Sequence, residues 1–292
     1  MTGTAIALVL VAAFAHSTWN FLVRRSEHPE ITNWLMAAAG GVIAFPFAIY
    51  LAFQSFPGLT GWVFIAGTVA LHIIYFFTLG RAYKHGDLSI VYPLARGLGL
   101  ALIPVFGTLI LRETVSAVGA LGIAAIFIGV IAVGSSSGQG LKVWLEPRKL
   151  VADKGVMFAL ITGLVIASYS NWDKRGVEYV EPLLYMFTVQ LGGALGSLPI
   201  LLRSYVIADF AGVMKTNWRP VVVGGIAQFA SYGLVLTAFT LAPVSYVGPF
   251  RELAIVFGVL FALFVLKEDV GRQRMAGAAA IGAGALLVAL AP

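Results

Sequence analysis

Residues 278–290 read AAAIGAGALLVAL, a run with no polar side chain on any face. A strand of a membrane barrel alternates in polarity, because one face meets lipid and the other the lumen. A segment that is apolar all round can satisfy its backbone in hydrocarbon only as a helix. Working outward, this run belongs to a stretch at 270–290. Nine similar stretches lie at 3–23, 31–53, 61–83, 88–111, 115–134, 155–172, 182–203, 220–241 and 244–266. Their lengths are near the ~20 residues that a bilayer-crossing helix needs.

Composition agrees. Of 292 residues 60% are apolar and 11% charged, against ~25% charged in ordinary soluble domains. The expected fold class is an all-α integral membrane protein of ten transmembrane helices with no soluble domain. The first span starts almost at once, without a basic leader, and reads as a membrane helix rather than a signal peptide. There is no cysteine, which removes disulfides, Cys-held metals and thiol nucleophiles. The four histidines, at 16, 28, 72 and 85, form no His-Glu-x-x-His string, and no phosphate-cradling Gly-rich loop ends in Lys-Ser or Lys-Thr. The reading is therefore no metal, no cofactor, no ATP coupling within the chain and no enzyme. The net charge of +6 suggests nucleic acid only in a soluble protein; here it sits in loops and sets orientation.

The longest polar stretch, 135–154, splits the chain into 1–134 and 155–292, with five spans each. An internal repeat follows the same division. Ala82, Ser89, Pro93, Glu113, Gly122 and Gly129 recur as Ala238, Ser245, Pro249, Glu268, Gly277 and Gly284, at offsets of 155 or 156. Asn20 and Arg24 match Asn171 and Arg175 at an offset of 151. Five is odd, so the two units enter the membrane from opposite sides, as in the inverted repeats of many secondary transporters, whose sites lie near the midplane. The expected architecture is two inverted five-helix repeats around a central cavity, joined by a connecting loop.

Fourteen Lys and Arg fall in loops on one side, and only Arg112, Lys174 and Arg175 on the other. The positive-inside rule makes the first side cytoplasmic and puts both termini outside.

Ten spans in a five-plus-five repeat, the string His16-Ser-Thr-Trp19-Asn20, and the series Ala82, Ser89, Pro93 and Glu113 resemble the drug/metabolite transporter superfamily, its EamA-type exporters in particular. The similarity runs over essentially the whole chain, more in span architecture than in short motifs. It implies a helical bundle with a central cavity, and export of small metabolites, amino acids among them. It also implies cytoplasmic termini, against the charge count.

An ionised side chain in hydrocarbon costs at least ~2.5–3.5 kcal/mol, so each one marks a candidate function. Of 32 charged residues, three are expected well inside spans: Arg96, Arg251 and Glu252. Arg96 and Glu252 are repeat mates of opposite charge. Arg96, with Tyr92 on its face, suits a substrate carboxylate through its planar donor fork. Glu252 suits an ammonium group or a proton, while a purely structural Arg–Glu pair is the bland alternative. Pro93 and Pro249 free backbone carbonyls beside these charges, which membranes tolerate near a cavity. A second group is aromatic and polar: His16, Trp19 and Asn20; His72 and Tyr75; Tyr169; Gln228 and Tyr232. Aromatic walls with polar tips suit amphipathic metabolites or cations, although interface anchoring or interhelical bonding explains such residues as readily. Glu113 and Glu268 read as solvated loop charges, and the glycines of spans five and ten as packing or dimer surfaces.

The combined reading is a secondary exporter of small amphipathic metabolites, amino acids with aromatic or hydrophobic side chains foremost, working by alternating access. Its expected partners are a small-molecule substrate and the lipid bilayer, with no nucleic acid; its state is a monomer or weak homodimer in the bacterial inner membrane. A multidrug carrier of the same fold, a channel and a membrane-embedded enzyme are the alternatives.

Overall fold

The computed structural model describes residues 1–134 and 153–292; most of the expected connecting loop at 135–154 lies outside them. Among the described residues, ten helices are long and apolar enough to cross a membrane. They are α1 (Gly3–Arg24), α2 (Pro29–Gln54), α3 (Leu59–His85), α4 (Leu88–Leu109), α5 (Ala117–Gly134), α6 (Lys154–Gly176), α7 (Pro182–Leu201), α8 (Ile207–Phe239), α9 (Val244–Val265) and α10 (Arg272–Leu290). The chain is an all-helical, multi-pass membrane protein.

Helices α2 and α3 are the least enclosed, with 22% and 17% of their apolar windows buried, while α4 and α9 reach 50% and α6 61%. The outer helices give their apolar surface to lipid, and the inner ones hold the polar groups. Thr78 and Thr162 join α3 to α6 by a buried hydroxyl bond of 3.0 Å, and Asn171 of α6 donates to the Ile103 carbonyl of α4 at 3.2 Å.

The repeat reappears in backbone detail. Arg112 and Lys267, 155 positions apart, both adopt left-handed conformations, with φ of 57° and 56°, which side-chain-bearing residues rarely do. Each is followed by the same closure: Glu113 N–H meets Gly107 O at 3.0 Å, and Glu268 N–H meets Ala262 O at 2.9 Å. Helix α1 lies against α8 as its mate α6 lies against α3. Where α5 crosses α10, Gly122 faces Gly284 and Gly129 faces Gly277, so the helices run antiparallel with their backbones nearly touching. These glycines serve packing inside one chain rather than a dimer face.

Two spans differ most from expectation. Helix α8 starts at Ile207, not near 220, and bends at Asn217, whose φ of −124° and ψ of 27° are not helical. The added turns carry Asp209 and Lys215, whose polarity reads as loop, yet Phe210 and Val213 bury against Ile31 and Trp34 of α2. Span nine is continuous in hydropathy but broken in structure, into Val244–Phe250, Leu253–Leu260 and a π-helical turn Phe261–Val265. Pro249 has no N–H to offer one turn back. The chain then tightens to three-residue bonds, Glu252 N–H to Pro249 O at 3.0 Å and Ala254 N–H to Arg251 O at 3.1 Å. Arg251 and Glu252 occupy this break. Its mate α4 carries Pro93 without interruption.

Candidate functional site

The first and last helices meet on one face, where the Met1 amino group lies 3.5 Å from Ala291 O; the opposite face carries most of the basic residues. A cavity of about 890 Å³ opens toward that basic face, with Arg24 and Arg274 at its mouth and His16, Ser17, Arg96 and Ala254 toward its depth. Helices α1, α4, α5 and α9 form most of its wall, and Tyr83 of α3 and Arg274 of α10 complete it.

At the floor, one terminal nitrogen of Arg96, Nη2, donates to both carboxylate oxygens of Glu252 at 3.0 Å. The pair is mostly enclosed, with side-chain exposures of 15% and 5%. The neighbouring Arg96 Nε is buried and has no partner. Tyr92, one turn earlier on α4, is 38% exposed into the same cavity. His16 lines it and packs edge-on against Trp19 at 5.2 Å, while Trp19 Nε1 is buried without a partner. Asn20 lines it too, with its amide donating to His16 O at 2.8 Å. Ser17 bonds the Ala254 carbonyl just past the α9 break.

The remaining sequence candidates gather elsewhere. His72 lies over Tyr169 at 4.5 Å and meets Tyr232 at 5.9 Å, and Tyr75 meets Tyr169 at 5.9 Å. This aromatic group lies outside the cavity lining. Gln228 is separate from both groups: its amide donates to Asn33 of α2 at 3.1 Å.

Sequence reasoning missed a fourth enclosed charge. Helix α6 runs to Gly176, so Asp173 lies inside the span and is 0% exposed. Tyr232 donates to its Oδ2 at 2.5 Å and Tyr185 to its Oδ1 at 2.9 Å. The repeat held a signal for this, because Asn171 matches Asn20 and α1 continues four residues past Asn20.

On the termini face, polar contacts tie the helix ends together. Glu113 is not a solvated loop charge: it accepts from Val244 N–H at 2.8 Å, Ser245 N–H at 2.9 Å and the Ser245 hydroxyl at 2.6 Å. It thereby ties the α4–α5 turn to the start of α9, where free helix N–H groups need acceptors. Tyr246 accepts from Ser116 N–H at 2.9 Å. Lys174 donates to the Phe239 and Ala242 carbonyls at the end of α8. Trp172 donates to Phe64 O at 2.9 Å. Glu268, the mate of Glu113, instead pairs with the exposed Arg24 at 2.8 Å beside the open mouth.

Among the described residues, ten membrane-length helices around a cavity that lies over a buried ion pair define a class: a membrane carrier of small molecules. A model of the EamA-like transporter family matches residues 153–290, and one of the small multidrug resistance proteins matches residues 32–126. The chain is 34% identical over 86 residues to the nicotine metabolites export pump subunit NepA of Paenarthrobacter nicotinovorans, covering 28% of this chain and 74% of that relative. A crystal structure aligns with 99% of this chain and 98% of its own, at a TM-score of 0.72 and 17% identity, a likeness of fold. The chain belongs to the drug/metabolite transporter superfamily, among the EamA-like transporters. It is a transporter and not an enzyme.

Proposed function

We propose that the protein exports small zwitterionic metabolites, amino acids with aromatic or apolar side chains foremost, across the bacterial inner membrane. The halves 1–134 and 155–292 rock about the Arg96–Glu252 centre, exposing it to each face in turn. The observation that carries this reading is the half-used guanidinium of Arg96 at the cavity floor: Nη2 holds Glu252, while Nε has no acceptor. A substrate carboxylate can displace Glu252 from Arg96, and Glu252 then receives the substrate ammonium group. One ion pair becomes two, and no charge is left bare in the low-dielectric core. His16, Asn20 and Tyr92 supply an aromatic and polar wall for the side chain, with Trp19 packed behind His16.

The positive-inside rule puts the basic face in the cytoplasm, so the open cavity is the loading state of an exporter. Export itself is supported by the likeness to an export pump subunit, whose named substrates, nicotine metabolites, form the second class to test.

The test is transport in liposomes containing the purified protein, with L-phenylalanine, other amino acids and nicotine metabolites as the panel. Arg96→Ala should abolish transport of carboxylate substrates while the protein still elutes as a folded species. Transport by Arg96→Ala at the wild-type rate removes Arg96 from the site.

A further inference from the structure

A second charged centre lies toward the termini face of the molecule. Arg251 is 8% exposed and adjoins Glu252 in the α9 break. Among the described residues it forms no ion pair. Its guanidinium carbon lies 5.9 Å from the ring centre of Tyr232. The hydroxyl of that same ring donates to Asp173, which also forms no ion pair among the described residues and whose oxygens are held by phenols. His72 and Thr68 of α3 face Asp173 as well. A cation and an acid are thus held apart by a single tyrosine, with Tyr169 and His72 alongside.

Successive helical positions diverge by about 100°. One break in α9 can therefore turn Glu252 toward Arg96 and Arg251 toward Tyr232. Two enclosed opposite charges that do not meet each other are costly to keep, unless a ligand joins them at some point in the cycle.

We propose that Arg251 and Asp173 form an outer station for the same zwitterion. When the termini face opens, Tyr232 swings from between them, Arg251 takes the substrate carboxylate and Asp173 takes its ammonium group. This rests on the zwitterion reading given above and adds a second stop on the path. An α-amino acid carries both charges on one carbon, so with a hydrogen bond at each end it bridges a gap of roughly a phenol ring.

The experiment separates binding from transport, with L-phenylalanine, phenylalaninamide (no carboxylate) and 3-phenylpropionate (no ammonium) as probes. Arg251→Gln and Asp173→Asn should bind L-phenylalanine in detergent nearly as well as wild type, because the inner station is intact. Their transport should fall about tenfold or more, as expected for a lost charge-assisted pair. Arg251→Lys, which keeps the charge, should fold normally and retain part of the transport. The double variant Arg251→Gln/Asp173→Asn should stay inactive. Recovery of transport in the double variant means the two residues only balance charge, and overturns the proposal. Wild-type transport by Arg251→Gln, or loss of binding as severe as in Arg96→Ala, overturns it too and leaves the inner site standing. If the wild type carries phenylalaninamide or 3-phenylpropionate but not L-phenylalanine, the zwitterion reading and the outer station fall together.

Discussion

The glycine seam between α5 and α10 allows the packing argument to be tested at one carbon atom. An alanine methyl at Gly122 would stand 2.7 Å from Gly284 O and 2.9 Å from Val288 N. Close C···O contacts between helices settle at about 3.3–3.6 Å, so the backbones must part by roughly 0.6 Å or more. The helices are as close at Gly129, where a methyl would stand 2.6 Å from Gly277 O. That second contact lies seven residues along, about 10 Å up the same helix. Overpacking of this kind costs about 1–3 kcal/mol, offset by up to about 1 kcal/mol from the better helix propensity of alanine. The expected net loss for Gly122→Ala is therefore about 1–2 kcal/mol. Gly277→Ala, whose methyl would stand 2.8 Å from Gly129 O, should lose the same amount. Gly282 has nothing within 4 Å of the added carbon, so Gly282→Ala is the matched control and should be neutral or slightly stabilising. The measurement is thermal unfolding in detergent, followed by helical circular dichroism. If Gly122→Ala is as stable as Gly282→Ala, the seam is not the close contact described here.

Two further outcomes follow from the polar contacts. Glu113→Gln weakens the tie between the α4–α5 turn and the start of α9; charge-assisted bonds contribute about 1.5–3 kcal/mol, so the termini face should open tenfold or more readily. The chain has no cysteine, so a single Val133→Cys in the cavity wall reports on this directly. Its labelling by an impermeant maleimide added from the basic face should slow in the Glu113→Gln background, and an unchanged rate would count against the tie. Arg112→Gly and Lys267→Gly should be tolerated, since glycine adopts a positive φ freely. The β-branched replacements Arg112→Val and Lys267→Val should each lose about 1–2 kcal/mol in the unfolding assay. Equal stability of the Gly and Val variants would refute the turn geometry.

Much of the fold was legible because hydropathy and charge act locally along the chain. The ten spans, and the offset linking Arg96 to Glu252, could be read from residue order, and that pair forms a direct salt bridge. What escaped depended on where one helix end meets another. Asp173 fell just past the expected span at 155–172, beside Lys174 and Arg175 counted as loop cations, yet α6 carries it into a cage of tyrosines from α7 and α8. Glu113 was read the same way, although its partners lie about 130 positions later at the start of α9. The α9 break was hidden because hydropathy records burial and not hydrogen-bond register. The aromatic and polar candidates were gathered into one group, whereas the structure divides them between the cavity, the Asp173 cluster and the separate Gln228–Asn33 bond.

The order of the two charges in the α9 break has its own consequence. A helix carries partial positive charge at its start and partial negative charge at its end. Arg251 stands at the end of the first segment and Glu252 at the start of the second. Each side chain therefore opposes the partial charge of the backbone terminus beside it, and the interrupted rod holds both ionised groups more comfortably than a continuous one. The reversed dipeptide, acid before base, would set both termini against their neighbours. Read in this direction, Arg-Glu is a polarity built into the span itself.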